Sequence, residues 1–260
     1  MTAAAPSQGS APGRARVEGL DLEAENARLE LLSPRERLAF AADHFGDRLL
    51  FTSSFGAGSG VLLHMWSEVS PSRPVVFIDT GFLFAETLAY RDALVKQLGL
   101  KLEIVRPEVD RASFLAEWGE DISKTNPDFC CAHNKVEPLR PKLATARAWV
   151  SGLRRDQGAT RAATPILLPS EGEPLKVHPL ATMTAAEVSD YMRVHGIPDH
   201  PLKARRYLSI GCMPCTRAVG EGEDERGGRW AWSAKTECGL HARALGVAGA
   251  PADDPKPTGA

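Results

Sequence analysis

Apolar residues in this chain fall into short unbroken runs separated by stretches of helical length. Leu49-Leu50-Phe51-Thr52, Pro74 to Ile78, Leu102 to Val105 and Ala148-Trp149-Val150 are too short for helices and, Thr52 and Glu103 aside, contain no polar residue. Such runs predict strands buried on both faces. The segments between them carry helix signals. Ser33-Pro34-Arg35-Glu36 is a capping box with proline at the first helical position, and its helix should run to Phe45 before Gly46 stops it. A helix is expected just before it over 22–32, another from about Gly60, and another around Glu86 to Leu98. Thr184-x-x-Glu187 opens a further capped helix that ends at Gly196, with Pro198 beyond. The alternation predicts β-α-β units, hence an α/β domain with a doubly wound, mainly parallel sheet. From Arg205 onward the chain reads as loop.

The first 20 residues, rich in Ala, Pro, Ser and Gly, predict a disordered tail, as do residues 242–260. One domain is expected over 21–241, with its functional C-terminal segment over 205–241. Lys and Arg number 31 against 33 Asp and Glu, so no global field draws the chain to nucleic acid or an anionic membrane, and any anion site must be built locally. No run of apolar residues is long enough to span a bilayer, and the N-terminus lacks a signal-peptide core. A cytoplasmic location is expected, where thiols stay reduced and paired cysteines serve as metal ligands or redox groups rather than disulfides.

Three strand ends collect anion-binding chemistry. The first strand runs into Ser53-Ser54-Phe55-Gly56-Ala57-Gly58-Ser59-Gly60 and then a helix, which gathers N–H groups and hydroxyls at a helix N-terminus. The string matches neither GxxxxGK[ST] nor GxGxxG. The second strand ends in Asp79-Thr80-Gly81, and the strand at Ala148 runs into Ser151-Gly152-Leu153-Arg154-Arg155-Asp156-Gln157. Open parallel sheets bind ligands at this edge, so the three together predict a nucleotide or other polyanion held there.

The chain has five cysteines: Cys130 and Cys131, Cys212 and Cys215, and Cys238 apart. Four thiolates can hold one zinc ion or one 4Fe-4S cluster. Two C-x-x-C knuckles suit zinc, and one is missing here. Adjacent cysteines on a helix point about 100° apart, which suits a larger cluster at least as well, and spacing alone leaves both open. Lys135, one turn beyond Cys131, would set a cation beside the sulfurs.

The strings SSFGAGSGVLLH, FIDTGFLFAET, KTNPDFCCAHNKVEPLR, SGLRRDQ, GCMPCT, GEDERGGRW and KTECGLH occur in this order over roughly residues 33–241. In that order they resemble the assimilatory adenylyl-sulfate (APS) reductases, the iron-sulfur branch of the PAPS/APS reductase family. The resemblance implies an adenine-nucleotide alpha-hydrolase-like fold and reduction of APS to sulfite and AMP, as in sulfate assimilation for cysteine biosynthesis. It implies a 4Fe-4S cluster on Cys130, Cys131, Cys212 and Cys215. Related enzymes for 3'-phosphoadenylyl sulfate (PAPS) typically lack those two pairs, so the pairs favour APS, with PAPS or dual activity as the alternative. The chain departs from the family's common forms at Asn134, where a basic residue is frequent, and at His178, where Asn-Pro-Leu is usual.

With four cysteines committed, Cys238 is left as the nucleophile that would attack the sulfate sulfur and expel AMP. Arg226 and Arg229 would contact sulfate or phosphate, and His241 is a candidate for proton transfer. Releasing sulfite then needs an outside dithiol, which with the resemblance implies thioredoxin or glutaredoxin as donor and a C-terminal lid that opens for it. Two rivals remain: a zinc-stapled nucleotide-binding module, and an ATP-dependent sulfurtransferase or pyrophosphatase, which should carry a more regular SGGxDS-type loop. The oligomeric state is left open.

Overall fold

The computed structural model describes residues 16–242 together with Leu245 and Gly246. The chain opens with a short hairpin, β1 (Arg16–Val17) against β2 (Leu20–Asp21). Helices α1 (Leu22–Glu30) and α2 (Pro34–Phe45) follow. The domain proper then runs β3 (Leu49–Phe51), α3 (Ser59–Val69), β4 (Val75–Ile78), α4 (Ala85–Leu98) and β5 (Leu102–Val105). A helical stretch comes next: α5 (Arg111–Trp118), α6 (Ile122–Thr125), α7 (Pro127–Cys131), a π turn over Ala132–Val136, and α8 (Glu137–Thr145). The rest is β6 (Ala148–Val150), β7 (Leu167–Leu168), β8 (Leu175–Val177), α9 (Ala185–Val194) and a long irregular segment ending in α10 (Gly239–Ala242).

The strands order as β5-β4-β3-β6-β8-β7. Adjacent pairs are parallel except β7 with β8, and β3 meets β4 through a bridge at Thr52 and Val76. This is the mixed, mainly parallel sheet that the apolar runs predicted, and the register shows why they do not alternate. Leu49, Phe51, Val75, Phe77, Ala148 and Val150 face one layer, with Leu38, Leu62, Trp66 and Met192 from α2, α3 and α9. Leu50, Val76 and Trp149 face the other, against Leu139 of α8. Both faces of β3, β4 and β6 are covered, so their positions gain from being apolar, whereas the edge strand β5 is only partly buried and admits Glu103. Burying a side chain the size of Trp66 contributes about 3 kcal/mol, and the indole N–H of Trp149 is satisfied by Thr52 Oγ1 at 2.8 Å.

The helix boundaries follow their caps. Ser33 and Glu36 close a reciprocal capping box on α2, as do Thr184 and Glu187 on α9. Gly99 ends α4 at φ 62°, where a Cβ would be strained. Two expectations need adjustment. Residues 16–20, placed with the N-terminal tail, belong to the β1–β2 hairpin, because Gly19 at φ 81° lets the chain turn back. The rest of that tail lies outside the described residues, as does most of 242–260, although Ala242 closes α10. The helix expected around Cys130, Cys131 and Lys135 extends over 127–145, and the strands β7 and β8 are additions to the predicted elements. Pro127, Pro138 and Pro141 interrupt the helical signal, and β7 and β8 are only two and three residues long. Among the described residues no helix is long and apolar enough to cross a membrane.

Candidate active site and cysteine centre

From β3 the chain moves outward to β4 and β5, then returns to β6 on the other side of β3. The carboxyl ends of β3 and β6 thus flank a topological switch point, where such sheets open a crevice. A cleft lies there, lined by Ser53, Ser54, Gly56, Gly58 and Ser59 on one wall and by Ser151, Arg154 and Gln157 on another. The Ser53 loop is held by its own hydroxyls: Ser53 Oγ accepts from Phe55 N at 3.2 Å, and Ser59 Oγ donates to Gly56 O at 2.7 Å. The N-cap of α3, Gly58, has no capping side chain; the Ser59 N–H is taken by Gly56 O at 3.0 Å, which leaves the following N–H groups of the first turn to an anion.

The C-terminal segment covers the cleft and contributes Glu225, Arg226, Arg229, Cys238 and His241. Two carboxylates fasten it to the loop after β6. Glu237, buried, accepts from Arg161 Nε at 2.7 Å, Arg161 Nη2 at 2.6 Å, Arg226 Nη2 at 3.1 Å and Thr160 Oγ1 at 3.1 Å. Burial pushes its carboxyl up, but the Arg161 hydrogen bonds and the two guanidinium charges more than offset this and hold it below the ordinary glutamate value. Glu225 accepts from Arg154 Nη2 at 2.7 Å and Gln157 Nε2 at 3.3 Å. Lys176, buried against the Trp149 ring, donates to Leu240 O at 2.6 Å and anchors α10.

Cys238 is half-buried in the cleft beside Lys135 and Arg229. Its thiol is held well below the usual range by a hydrogen bond from Cys131, against the opposing effect of burial, with help from Lys135, the Leu240 N–H and Arg229. Lys135 makes no ion pair with a carboxylate among the described residues. Burial would lower it, yet the sulfurs of Cys238, Cys212 and Cys131 raise it and keep it charged. Arg229 is fixed over the Trp230 ring at 4.3 Å and donates to Cys215 O at 3.3 Å, on a strand-like contact between Thr216 and Arg229. Gly211 makes room for it: a Cβ there would lie 2.3 Å from the guanidinium. His241 stacks on Trp149 at 5.8 Å, and burial, then Lys176 and Arg161, push its imidazole well below the usual value, so it is neutral.

Cys130, Cys131, Cys212 and Cys215 converge on a second, small cavity with Thr80, Asn134 and Lys135. No three described His, Cys, Asp or Glu side chains close around a point that could hold a single metal ion. A multi-iron cluster spreads its thiolates wider than the ~3.8 Å between sulfurs on tetrahedral zinc. Burial, then the Cys212 and Cys215 sulfurs, push the Cys130 thiol up to about 12, and burial and Cys212 raise Cys215. Four sulfurs with no carboxylate or imidazole among them cannot ionise together unless iron or another cation compensates, so the donor set fits a cationic metal group. The departures from the family pattern sit close by. Asn134 donates to Cys130 O at 3.1 Å and leaves its own Oδ1 buried without a partner. His178 is enclosed behind the cleft with Nδ1 2.9 Å from Ser151 Oγ, and burial, Lys176 and Arg161 drive its pKa to about 3.

Three residues expected at the anion edge lie off the cleft. Asp79 caps its own turn at Gly81 N and pairs with Arg106 at 3.4 Å. Thr80 sits at the cysteine centre, its hydroxyl 3.3 Å from Cys212 Sγ. Arg155 turns outward to Glu30 and Thr164 O. Sequence reasoning passed over Arg161, Lys176, Glu225 and Glu237. Glu225 and Glu237 stood inside strings already singled out, but nothing in the strings says which arginine each carboxylate meets.

The sheet order, the switch-point cleft and the cysteine placement together define a nucleotide-binding α/β protein of the adenine-nucleotide alpha-hydrolase-like type, with thiol chemistry at the sheet edge. Residues 48–218 match the family described as phosphoadenosine phosphosulfate reductase domain, and the chain belongs to that family. It is 45% identical over 234 residues to an adenosine 5'-phosphosulfate reductase of Mesorhizobium japonicum, covering 90% of each chain. It is 43% identical to a phosphoadenosine 5'-phosphosulfate reductase of Gloeobacter violaceus, over 82% of this chain and 90% of the relative. Among solved structures, a phosphoadenylyl-sulfate reductase from Candida auris in complex with phosphate superposes with a TM-score of 0.66 at 26% identity, covering 80% of this chain and all of that one.

Proposed function

We propose that this protein is a cytoplasmic adenylyl-sulfate reductase that reduces APS to sulfite and AMP with electrons from thioredoxin or a glutaredoxin. The observation that carries the reading is Cys238 in the nucleotide-type cleft beside two cations, Lys135 and Arg229, that have no carboxylate partner among the described residues, while the other four cysteines line an adjoining cavity. The nucleotide lies against the Ser53 to Ser59 loop with its phosphosulfate toward Cys238. The Cys238 thiolate attacks the sulfate sulfur, the S–O bond to phosphate breaks, and AMP leaves with the bonding electrons. Lys135 and Arg229 stabilise the charge that gathers on the transferring group. Cys238 is left as an S-sulfocysteine. A thiolate of the donor then attacks Cys238 Sγ and sulfite departs with the electron pair. The donor's second thiol resolves the mixed disulfide, so the donor is oxidised and Cys238 returns to a thiol.

Cys130, Cys131, Cys212 and Cys215 would hold the 4Fe-4S cluster, which supplies a fixed charge beside Lys135 rather than electrons. The Cys131 thiol would then be a ligand and no longer a donor to Cys238, leaving Lys135, Arg229 and the Leu240 N–H to favour the thiolate. His241, held neutral by burial and by Lys176 and Arg161, is a weak base and no acid at neutral pH, which argues against a proton-transfer role for it. The C-terminal segment must open for the donor to reach Cys238, because Glu237 and Lys176 hold it down. The test is sulfite release from APS with reduced thioredoxin, together with intact mass spectrometry after APS without donor. A single sulfonate adduct mapped to Cys238 supports the reading, and turnover with no adduct at Cys238 refutes it.

A further inference from the structure

Relatives of similar identity carry names for either substrate, so one fold serves both APS and its 3'-phosphorylated counterpart. The two ligands differ by one phosphate, about two negative charges. Which one is preferred therefore turns on how many positive charges in the cleft are left uncompensated.

Lys135 and Arg229 face Cys238, and no carboxylate pairs with either among the described residues. Arg161 and Arg226 are both taken up by buried Glu237. Arg154 is the cation nearest the nucleotide loop, its Nη1 lying 3.1 Å from where a Cβ on Gly58 would be. It carries two carboxylates: Asp156 on Nε at 2.9 Å and Glu225 on Nη2 at 2.7 Å. Asp156 cannot easily leave, because its other oxygen accepts from Ala185 N at 2.5 Å at the start of α9. Glu225 comes from the loop that crosses the cleft, and its side chain is 21% exposed. Two carboxylates thus face the one guanidinium beside the nucleotide loop, Lys135 and Arg229 are turned toward the Cys238 sulfur, and among the described residues no cation beside that loop is left uncompensated to receive a ribose phosphate.

Resting on the APS reading above, we propose that Glu225 is a specificity-determining residue that disfavours a 3'-phosphate by neutralising Arg154 beside the nucleotide loop. Glu225→Gln keeps the shape of the contact to Arg154 and removes the charge. The loss of one negative charge from a half-enclosed cleft favours a dianionic phosphate by about tenfold.

The experiment compares wild type, Glu225→Gln, and Glu225→Gln combined with Arg154→Gln. It reads kcat/KM for APS and PAPS, and displacement affinities for AMP and adenosine 3',5'-bisphosphate at fixed salt. In Glu225→Gln the PAPS-to-APS ratio and the bisphosphate-to-AMP affinity ratio should both rise about tenfold, and adding Arg154→Gln should cancel both rises. Ratios within about twofold of wild type, or a rise that persists without Arg154, overturn the proposal. The two binding ratios need no turnover, so a wild type that fails to reduce APS would sink the proposed activity while Glu225 is still tested by nucleotide affinity.

Discussion

Replacing Glu237 by glutamine would test whether the residue before Cys238 is the fastening of the C-terminal segment. Its carboxylate meets three guanidinium N–H groups and one hydroxyl, and its side chain has no exposure to solvent. The amide keeps the volume and one acceptor but turns an NH2 toward Arg161, whose side chain is only 7% exposed. Breaking one partner of a buried pair costs about 3–5 kcal/mol, because the remaining charge stays buried without compensation. For a domain of this size the lower figure corresponds to a fall in melting temperature on the order of 6–10 °C. If the segment detaches as a unit instead, the same cost appears as faster hydrogen exchange over residues 237–242. Differential scanning calorimetry and hydrogen-exchange mass spectrometry read the two outcomes. The folded carboxyl is depressed, so its contribution is present above the unfolded glutamate pKa of about 4.3 and is lost as pH falls through the lower folded value. The variant should lack that acid limb. Unchanged melting together with unchanged exchange would refute the fastening role.

Cys238→Ser should keep the fold and any visible absorption of the cluster, but lose at least about a thousandfold in sulfite release, roughly 4 kcal/mol of barrier, since an alcohol is a poor nucleophile toward sulfur. Full activity in an assay with APS and thioredoxin would contradict it. Cys131→Ser should bleach the purified protein and lower its thermal stability, because a centre joining α7 to the 212–215 turn is lost; iron and sulfide analysis checks this. Gly211→Ala should leave the melting temperature within about 2 °C and displace the Arg229 guanidinium, the flexible end of that contact, with at least about a tenfold loss in kcat. His178 and His200 titrate near 3 and 4 in the fold, both chiefly through burial, whereas an unfolded histidine titrates near 6.5. The unfolded state therefore binds more protons below pH 6.5, and stability should fall there by up to ~1.4 kcal/mol per pH unit for each group until the folded value is reached. His178→Asn should flatten that fall in acid denaturation curves.

The sheet was legible because β3, β4 and β6 are covered on both sides, so each appears as an unbroken apolar run whose length excludes a helix. The same logic fails for β7 and β8. Leu167–Leu168 and Leu175–Val177 are too short for any period to register, and Lys176 looks like a surface residue until Trp149 and Leu240 O are seen around it. The Pro127 to Thr145 run was obscured for the opposite reason: its prolines stand at N-terminal positions of α7 and α8, where a missing N–H costs nothing, apart from Pro141 inside the helix.

The site was legible in its residue types and only partly in its electrostatics. Cysteine arithmetic separated Cys238 from the other four, and both cavities follow that division. What the string could not reveal is which cations are spent. Arg154, Arg226, Arg229 and Lys135 look alike as anion ligands in sequence, yet among the described residues the fold gives carboxylates to Arg154 and Arg226 and none to Lys135 or Arg229. Pairing depends on contacts 71 residues apart for Arg154 with Glu225 and 76 apart for Arg161 with Glu237. A cation already holding a buried carboxylate adds little net field for a ligand, whereas an unpaired one acts at full charge at the point where it is held. The Cys238 end of the cleft is therefore set apart less by where positive residues lie than by where the described residues withhold carboxylate partners from them.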